Sequence, residues 1–154
     1  MKAFNQKNWN ERKKELGKLA ENAFLSFASK EGIKFEHFGM KAESELDYWN
    51  LALFLRMRPD FICQKDDKTF FVEVKGCGYD GIIKFKIECM EGLYIWQSHL
   101  PVYVFMFDSA RHKCSFVPYR DLRDRLLKSD PKRFENDGKL YFPLSIKELA
   151  WMSI

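Results

Sequence analysis

The stretch Arg58-Pro59-Asp60-Phe-Ile-Cys-Gln-Lys-Asp-Asp-Lys-Thr-Phe-Phe-Val-Glu73-Val74-Lys75-Gly76 leaves this chain few ways to fold. Two β-type runs, 60–64 and 69–75, flank the polar turn 65–68, which is the pattern of a β-hairpin. If the hairpin is symmetric about Asp66 and Asp67, Ile62 lies opposite Phe71, Gln64 opposite Thr69 and Asp60 opposite Glu73. Directly opposed residues on one sheet face have Cβ atoms about 4.5–5.5 Å apart. Alternation along the strand then puts Lys75 on the same face as Glu73. Two carboxylates and one ammonium are expected to meet at one sheet edge.

Like charges in opposed positions destabilise a sheet. Such a pair is tolerated when a cation sits between its members or when one carboxyl is protonated. A hard divalent ion such as Mg²⁺ suits carboxylate oxygens and keeps several waters of its own. A lysine beside it can orient water, and the ion can neutralise charge growing on a phosphate. The residues alone fit equally well a salt-bridged trio, Asp60–Lys75–Glu73, on a wet sheet face.

Around the hairpin the periodicities suggest alternating helices and strands. Leu16, Leu19, Ala20, Ala23, Phe24 and Phe27 recur at helical spacing, predicting a first helix over 10–30 closed by Gly32. Residues 33–38 read as a strand. Ser44 and Asp47 resemble a capping box, opening a short helix over 48–57 that Pro59 must end. After Gly76, 82–87 alternates apolar residues with lysine, 88–98 reads as a helix, and 102–107 (VYVFMF) is apolar throughout, as a strand buried on both faces should be. Further strands are expected at 113–117 and 139–142, a helix at 121–128, and a capping box at Ser145 and Glu148. This order predicts an α/β layered domain spanning 1–154, with a central mixed β-sheet flanked by helices.

Composition narrows the chemistry. With 46% hydrophobic and 31% charged residues, the 154-residue chain has the make-up of a water-soluble domain large enough to bury its own core. The N-terminal sequence has no apolar leader, and the apolar run 51–55 is too short to span a bilayer, so a cytoplasmic location is expected. The four cysteines, Cys63, Cys77, Cys89 and Cys114, form no CxxC pair, which argues against structural zinc and for free thiols. The formal charge of +4 permits contact with phosphates without requiring it. Basic residues gather at Lys13, Lys14 and Lys18, at Lys84 and Lys86, and at Arg120, Arg123 and Arg125. Without a P-loop, GxSxG or HExxH motif, ATP hydrolysis and serine or zinc hydrolysis have no support.

The sequence Pro59-Asp60 followed by Glu73-Val74-Lys75 resembles the PD…ExK signature of the PD-(D/E)XK nuclease superfamily, set in a matching αβββαβ order. Glu21 followed by Gly32-Ile33-Lys34-Phe35-Glu36 resembles the first helix and strand of phage T7-type junction-resolving endonucleases. The likeness covers 14–76; residues 40–58 depart from the endonuclease pattern, and the match lapses after Gly76. Helical periodicity places Glu21 about 120° from the centre of the apolar stripe, and Glu15 sits on the opposite flank. Geometry leaves both open, and the resemblance selects Glu21.

The resemblance implies a restriction-endonuclease-like fold and a nuclease hydrolysing DNA phosphodiester bonds, an endonuclease with selectivity for branched or junction structures. It implies Mg²⁺ or Mn²⁺ held by Asp60, Glu73, the Val74 carbonyl and Glu21, with Asp60, Glu73, Lys75 and Glu21 catalytic and Lys75 positioning the attacking water. The expected partner is DNA in a bacterial or phage-infected cell; no membrane is involved, and a homodimer is compatible. Lys84, Lys86, Tyr94 and Gln97 are candidates for contact with the nucleic-acid backbone. The competing reading is a catalytically inactive nucleic-acid-binding or structural protein that retains the fold.

Overall fold

The computed structural model describes residues 9–41 and 43–154; the N-terminal residues 1–8 read above for a leader lie outside them, as does the side chain of Lys13. The chain opens with α1 (Trp9–Lys30), whose buried stripe is Ala20, Phe24 and Ala28, one residue per turn. Gly32 follows with φ 66 and turns the chain into β1 (Lys34–His37). The hairpin comprises β2 (Phe61–Lys65) and β3 (Lys68–Gly76), with Phe61 paired to Val72, Ile62 to Phe71 and Gln64 to Thr69. This is the predicted register, although the turn is tighter than expected: Lys65 pairs with Lys68, and Asp66 takes a left-handed φ of 52.

β5 (Val102–Asp108) runs parallel to β3 and antiparallel to β6 (Lys113–Pro118). With β9 (Met152–Ser153) at the far edge, a six-stranded mixed sheet has the order β1-β2-β3-β5-β6-β9. The apolar run at 102–107 is indeed covered on both faces. Phe105 and Phe107 join Phe24, Phe61 and Val72 under α1. Val102, Val104 and Met106 face the opposite layer. That layer holds α3 (Ile87–Gln97) and α4 (Tyr119–Leu126), which contribute Met90, Leu93, Tyr119 and Leu122. α4 begins two residues earlier than expected because Pro118 serves as its N-cap and Tyr119 donates its hydroxyl to the Met90 carbonyl at 2.6 Å.

Two regions depart from expectation. The helix expected over 48–57 is split into a 3₁₀ turn at Tyr48–Asn50 and α2 (Leu53–Arg56). Asp47 caps the 3₁₀ turn itself, accepting from Trp49 N at 3.2 Å and Asn50 Nδ2 at 2.6 Å, and Leu51 and Ala52 are extended. Ser44 is no part of that cap; it accepts from Leu46 N. Secondly, β4 (Ile82–Lys86) does not join the main sheet. It pairs antiparallel with β8 (Leu140–Ser145), which pairs with β7 (Lys132–Arg133), forming a separate three-stranded sheet. Ile83, Phe85 and Leu144 press the inner face of this sheet into the layer of α3 and α4. No helix among the described residues is long and apolar enough to cross a membrane.

Candidate active site

The site forms where the hairpin strands separate. β3 continues to Gly76, whereas the pairing with β2 begins at Phe61 opposite Val72. The backbone carbonyl of Asp60 bends away to accept from Phe38 N at 2.8 Å and Gly39 N at 3.1 Å. Its carboxylate takes the ladder position that backbone would have filled, with Oδ2 accepting from Val74 N at 2.7 Å. The expected Asp60–Glu73 opposition is therefore realised with Asp60 just outside the strand and its side chain lying along the edge of β3.

Alternation does the rest. Val72 and Val74 face α1, whereas Phe71, Glu73 and Lys75 face the layer of α3. Glu73 is 6% exposed; its Oε1 accepts from Lys75 Nζ and, at 3.4 Å, from the thiol of Cys89 in the first turn of α3. With one Glu73 oxygen committed to two donors, no further contact engages Oε2 among the described residues. Phe71 N and Cys77 N both donate toward β5, so Val74, of the other parity, points its amide and carbonyl toward Asp60.

Electrostatics mark the cluster as short of positive charge. Burial, then the nearby Glu73, holds the Asp60 carboxyl well above the ordinary carboxylate range; Lys75 and the Val74 amide only partly offset this, and Glu21 adds to it. Burial opposes the Lys75 ammonium, but the Glu73 carboxylate that accepts its hydrogen bond, with Asp60 beside it, outweighs burial and keeps it charged. Burial, reinforced by Glu73, pushes the Cys89 thiol up to about 12, so near neutral pH it is a donor and not an anion.

Glu21 is partly buried on α1 and near enough to act on Asp60. α1 approaches closely because Gly76 has no side chain: a Cβ there would lie 3.0 Å from the Leu16 carbonyl. Among the described residues no three acidic, His or Cys side chains close on one point to form a ready metal cage. The oxygen donors Asp60, Glu73 and Val74 nonetheless suit a hard divalent ion that retains much of its water, the mode typical of Mg²⁺.

The other predicted contact residues lie elsewhere. Lys84 and Lys86 sit on the outer face of the small sheet, where Lys84 pairs with Asp80 at 3.6 Å and Lys86 Nζ lies 5.4 Å from the Phe134 ring. Tyr94 is 52% exposed, with Arg123 4.3 Å over its ring. Gln97 ends α3, about 12 Å along the helix from Cys89. Cys89 was not singled out from the sequence. The signal is visible in retrospect, since it shares a helix face with buried Leu93, the face that meets the sheet at the level of Glu73. A cavity of about 440 Å³, lined by Phe27, Lys65, Thr69 and Tyr103 among others, lies at the turn end of the hairpin and is unrelated to these groups.

No family model and no curated protein matches the sequence. Among solved structures the chain is similar to Hjc of Archaeoglobus fulgidus, a Holliday junction resolvase from an archaeal hyperthermophile. The TM-score is 0.55 at 16% identity, covering 85% of this chain and 89% of that one. The shared architecture is the restriction-endonuclease-like α/β fold, a mixed central sheet flanked by helices.

Proposed function

We propose that this chain is a single-domain, divalent-metal-dependent endonuclease that hydrolyses DNA phosphodiester bonds, with Asp60, Glu73 and Lys75 at its centre. The observation that carries the reading is the junction at the open end of the hairpin. Two carboxylates and one lysine converge there, at the positions of a PD…ExK signature, in a fold it shares with a resolvase. Asp60, Glu73 and the Val74 carbonyl would hold the ion, with Glu21 reaching in from α1. A bound Mg²⁺ or Mn²⁺ would supply Lewis acidity and offset charge on the phosphate.

The chain's own groups do the positioning. Lys75, tethered to Glu73, sits where it can orient the attacking water and keep its charge beside the phosphate. Water oxygen bonds to phosphorus and gives up a proton, the bond to the 3′ oxygen breaks, and that oxygen takes up a proton, leaving a 3′-hydroxyl and a 5′-phosphate end. Four-way junctions are the first substrate to try, because the structural neighbour is a resolvase and the Glu21 to Glu36 segment resembles T7-type endonucleases.

The Lys75–Glu73 contact, with no three-acid cluster among the described residues, favours a second reading, an inactive protein whose charged trio is structural. Purified protein incubated with Mg²⁺ or Mn²⁺ and single-stranded, duplex, flapped and four-way DNA separates the two. Metal-dependent cleavage that disappears in Asp60→Asn and Lys75→Ala supports the nuclease. Intact DNA in every lane, with tight binding retained, supports the second.

A further inference from the structure

Between β1 and Asp60 the chain carries two arginines, Arg56 and Arg58, that the catalytic cluster does not use. Among the described residues neither is ion-paired to a carboxylate. The Nε of each is buried without a hydrogen-bond partner, and Arg58 Nη2 reaches only the thioether sulfur of Met40, a weak acceptor. Natural cores leave few donors in this condition, so each needs an explanation.

Both guanidinium groups lie instead over aromatic rings. The Arg56 head lies 5.6 Å from the Tyr48 centroid and 5.5 Å from that of Trp49, and the Arg58 head lies 5.6 Å from Phe38. A ring contact leaves the positive charge unpaired and the terminal Nη donors available to an anion. Lys139, just before the small-sheet strand β8, reaches the same Trp49 ring at 5.6 Å while pairing with Glu88 at 3.5 Å, and extends the row of cations. Trp49 is 70% exposed.

The segment is also fixed in place. Trp96 Nε1 on α3 donates to the Phe54 carbonyl at 2.8 Å. Gly92 lets Met57 settle on α3 so closely that a Cβ at 92 would lie 2.3 Å from the Met57 Cβ. The two arginines are thus presented from a rigid support two and four residues before Asp60, and a preorganised cation binds an anion at a lower ordering cost.

Resting on the nuclease reading, we propose that Arg56 and Arg58, clamped on Tyr48, Trp49 and Phe38 and continued by Lys139, bind successive phosphates of the DNA backbone beside the position to be cut. They are positioning residues: they set where the strand lies and take no part in bond breaking. Phosphate suits them because its oxygens accept in pairs from a planar fork, whereas a lysine offers only a point charge.

The test uses full-length Asp60→Asn protein in EDTA and the fluorescence anisotropy of labelled four-way and duplex DNA between 50 and 200 mM KCl. Arg56→Gln and Arg58→Gln should each weaken binding several-fold and reduce the salt slope by about 0.9, and the pair by about twice that. Trp49→Ala should weaken binding with the slope unchanged, because the charge remains but its clamp is gone; Trp49→Phe should restore affinity. Arg56→Lys should keep the slope and lose affinity. Lys65→Gln, at the other end of the hairpin, should change nothing, and melting curves of each variant confirm that it is folded. In otherwise wild-type enzyme the double glutamine variant should raise KM and leave kcat. A salt slope unchanged in the double variant overturns the proposal while leaving the nuclease reading intact. So does an equal loss of binding to polyglutamate, which would point to an acidic protein partner. Parent protein that binds no DNA overturns both.

Discussion

The two ends of one hairpin handle charge in opposite ways. At the turn, Lys65 meets Glu31 at 3.3 Å with both side chains about half in water, and the ladder of β2 and β3 is complete. At the open end the ladder stops, a carboxylate stands in for a backbone acceptor, and Glu73, Lys75 and Cys89 crowd together under cover. Charges at the turn are hydrated and contribute little. Those at the open end are kept near one another against both burial and repulsion, which costs stability unless a cation joins them. A fold that concentrates electrostatic cost in one corner of a sheet identifies that corner as the place to look for chemistry.

The sharpest way to break this contrast is cleavage itself. Asp60→Asn, Glu73→Gln and Lys75→Ala should each lower Mg²⁺-dependent cleavage by about a hundred- to a thousandfold. Glu31→Gln and Lys65→Ala should leave it unchanged, and full activity in any of the first three would remove that residue from the site. Glu21→Gln should lower activity strongly and Glu15→Gln should not; equal behaviour of this pair on one helix would sever Glu21 from the metal centre.

Metal binding tests the same asymmetry without catalysis. A divalent ion at a hundredfold excess over its dissociation constant stabilises the fold by about 2.7 kcal/mol, a rise in melting temperature on the order of 5 °C for a chain of this size. Mg²⁺, Mn²⁺ and Ca²⁺ should all produce it in calorimetry, Ca²⁺ without supporting cleavage, and Asp60→Asn/Glu73→Gln should abolish it. A melting curve that ignores all three ions would favour the structural trio.

The smallest expected effect is a pH dependence in the metal-free protein. An aspartate ionises near 3.9 in an unfolded chain, and the Asp60 carboxyl is held above that range in the fold by burial and Glu73. A group raised in this way favours folding at low pH, and its contribution is lost as pH rises through the folded value. Asp60→Asn retains an oxygen for Val74 N but cannot ionise. In EDTA it should therefore melt higher than the parent near neutral pH, by a margin that shrinks toward about pH 4. A margin that grows on acidification would show that Asp60 is stabilised as an anion.

Much of the favourable end was legible in the sequence, and the reasons are physical. The hairpin register followed from a period of two and a polar turn, and 102–107 announced a strand covered on both faces. Both rest on local pattern. The missing information was non-local. Ile82–Lys86 has a strand pattern, but nothing in it indicates pairing with Leu140–Ser145, more than fifty residues on, and not with the main sheet. The helix at 48–57 broke because Asp47 captured two donors of its own turn, a competition that propensity does not rank. At the site, the convergence of Asp60, Glu73 and Lys75 was readable, whereas Cys89 and the aromatic clamps on Arg56 and Arg58 depend on how α3 docks.

The bond from Val74 N to the Asp60 carboxylate has a consequence unrelated to hydrolysis. Past Val72, β3 has no β2 partner on that side, and an open strand edge in a β-rich chain invites a strand from another molecule. Asp60 occupies the donor that such a strand would need and places a carboxyl group in its path. Replacing it with alanine would do more than empty the site: it would open a seam along which copies of the protein could zip together. The same residue thus guards solubility, and a pool of Asp60→Ala protein should be found in the pellet more often than one of Asp60→Asn.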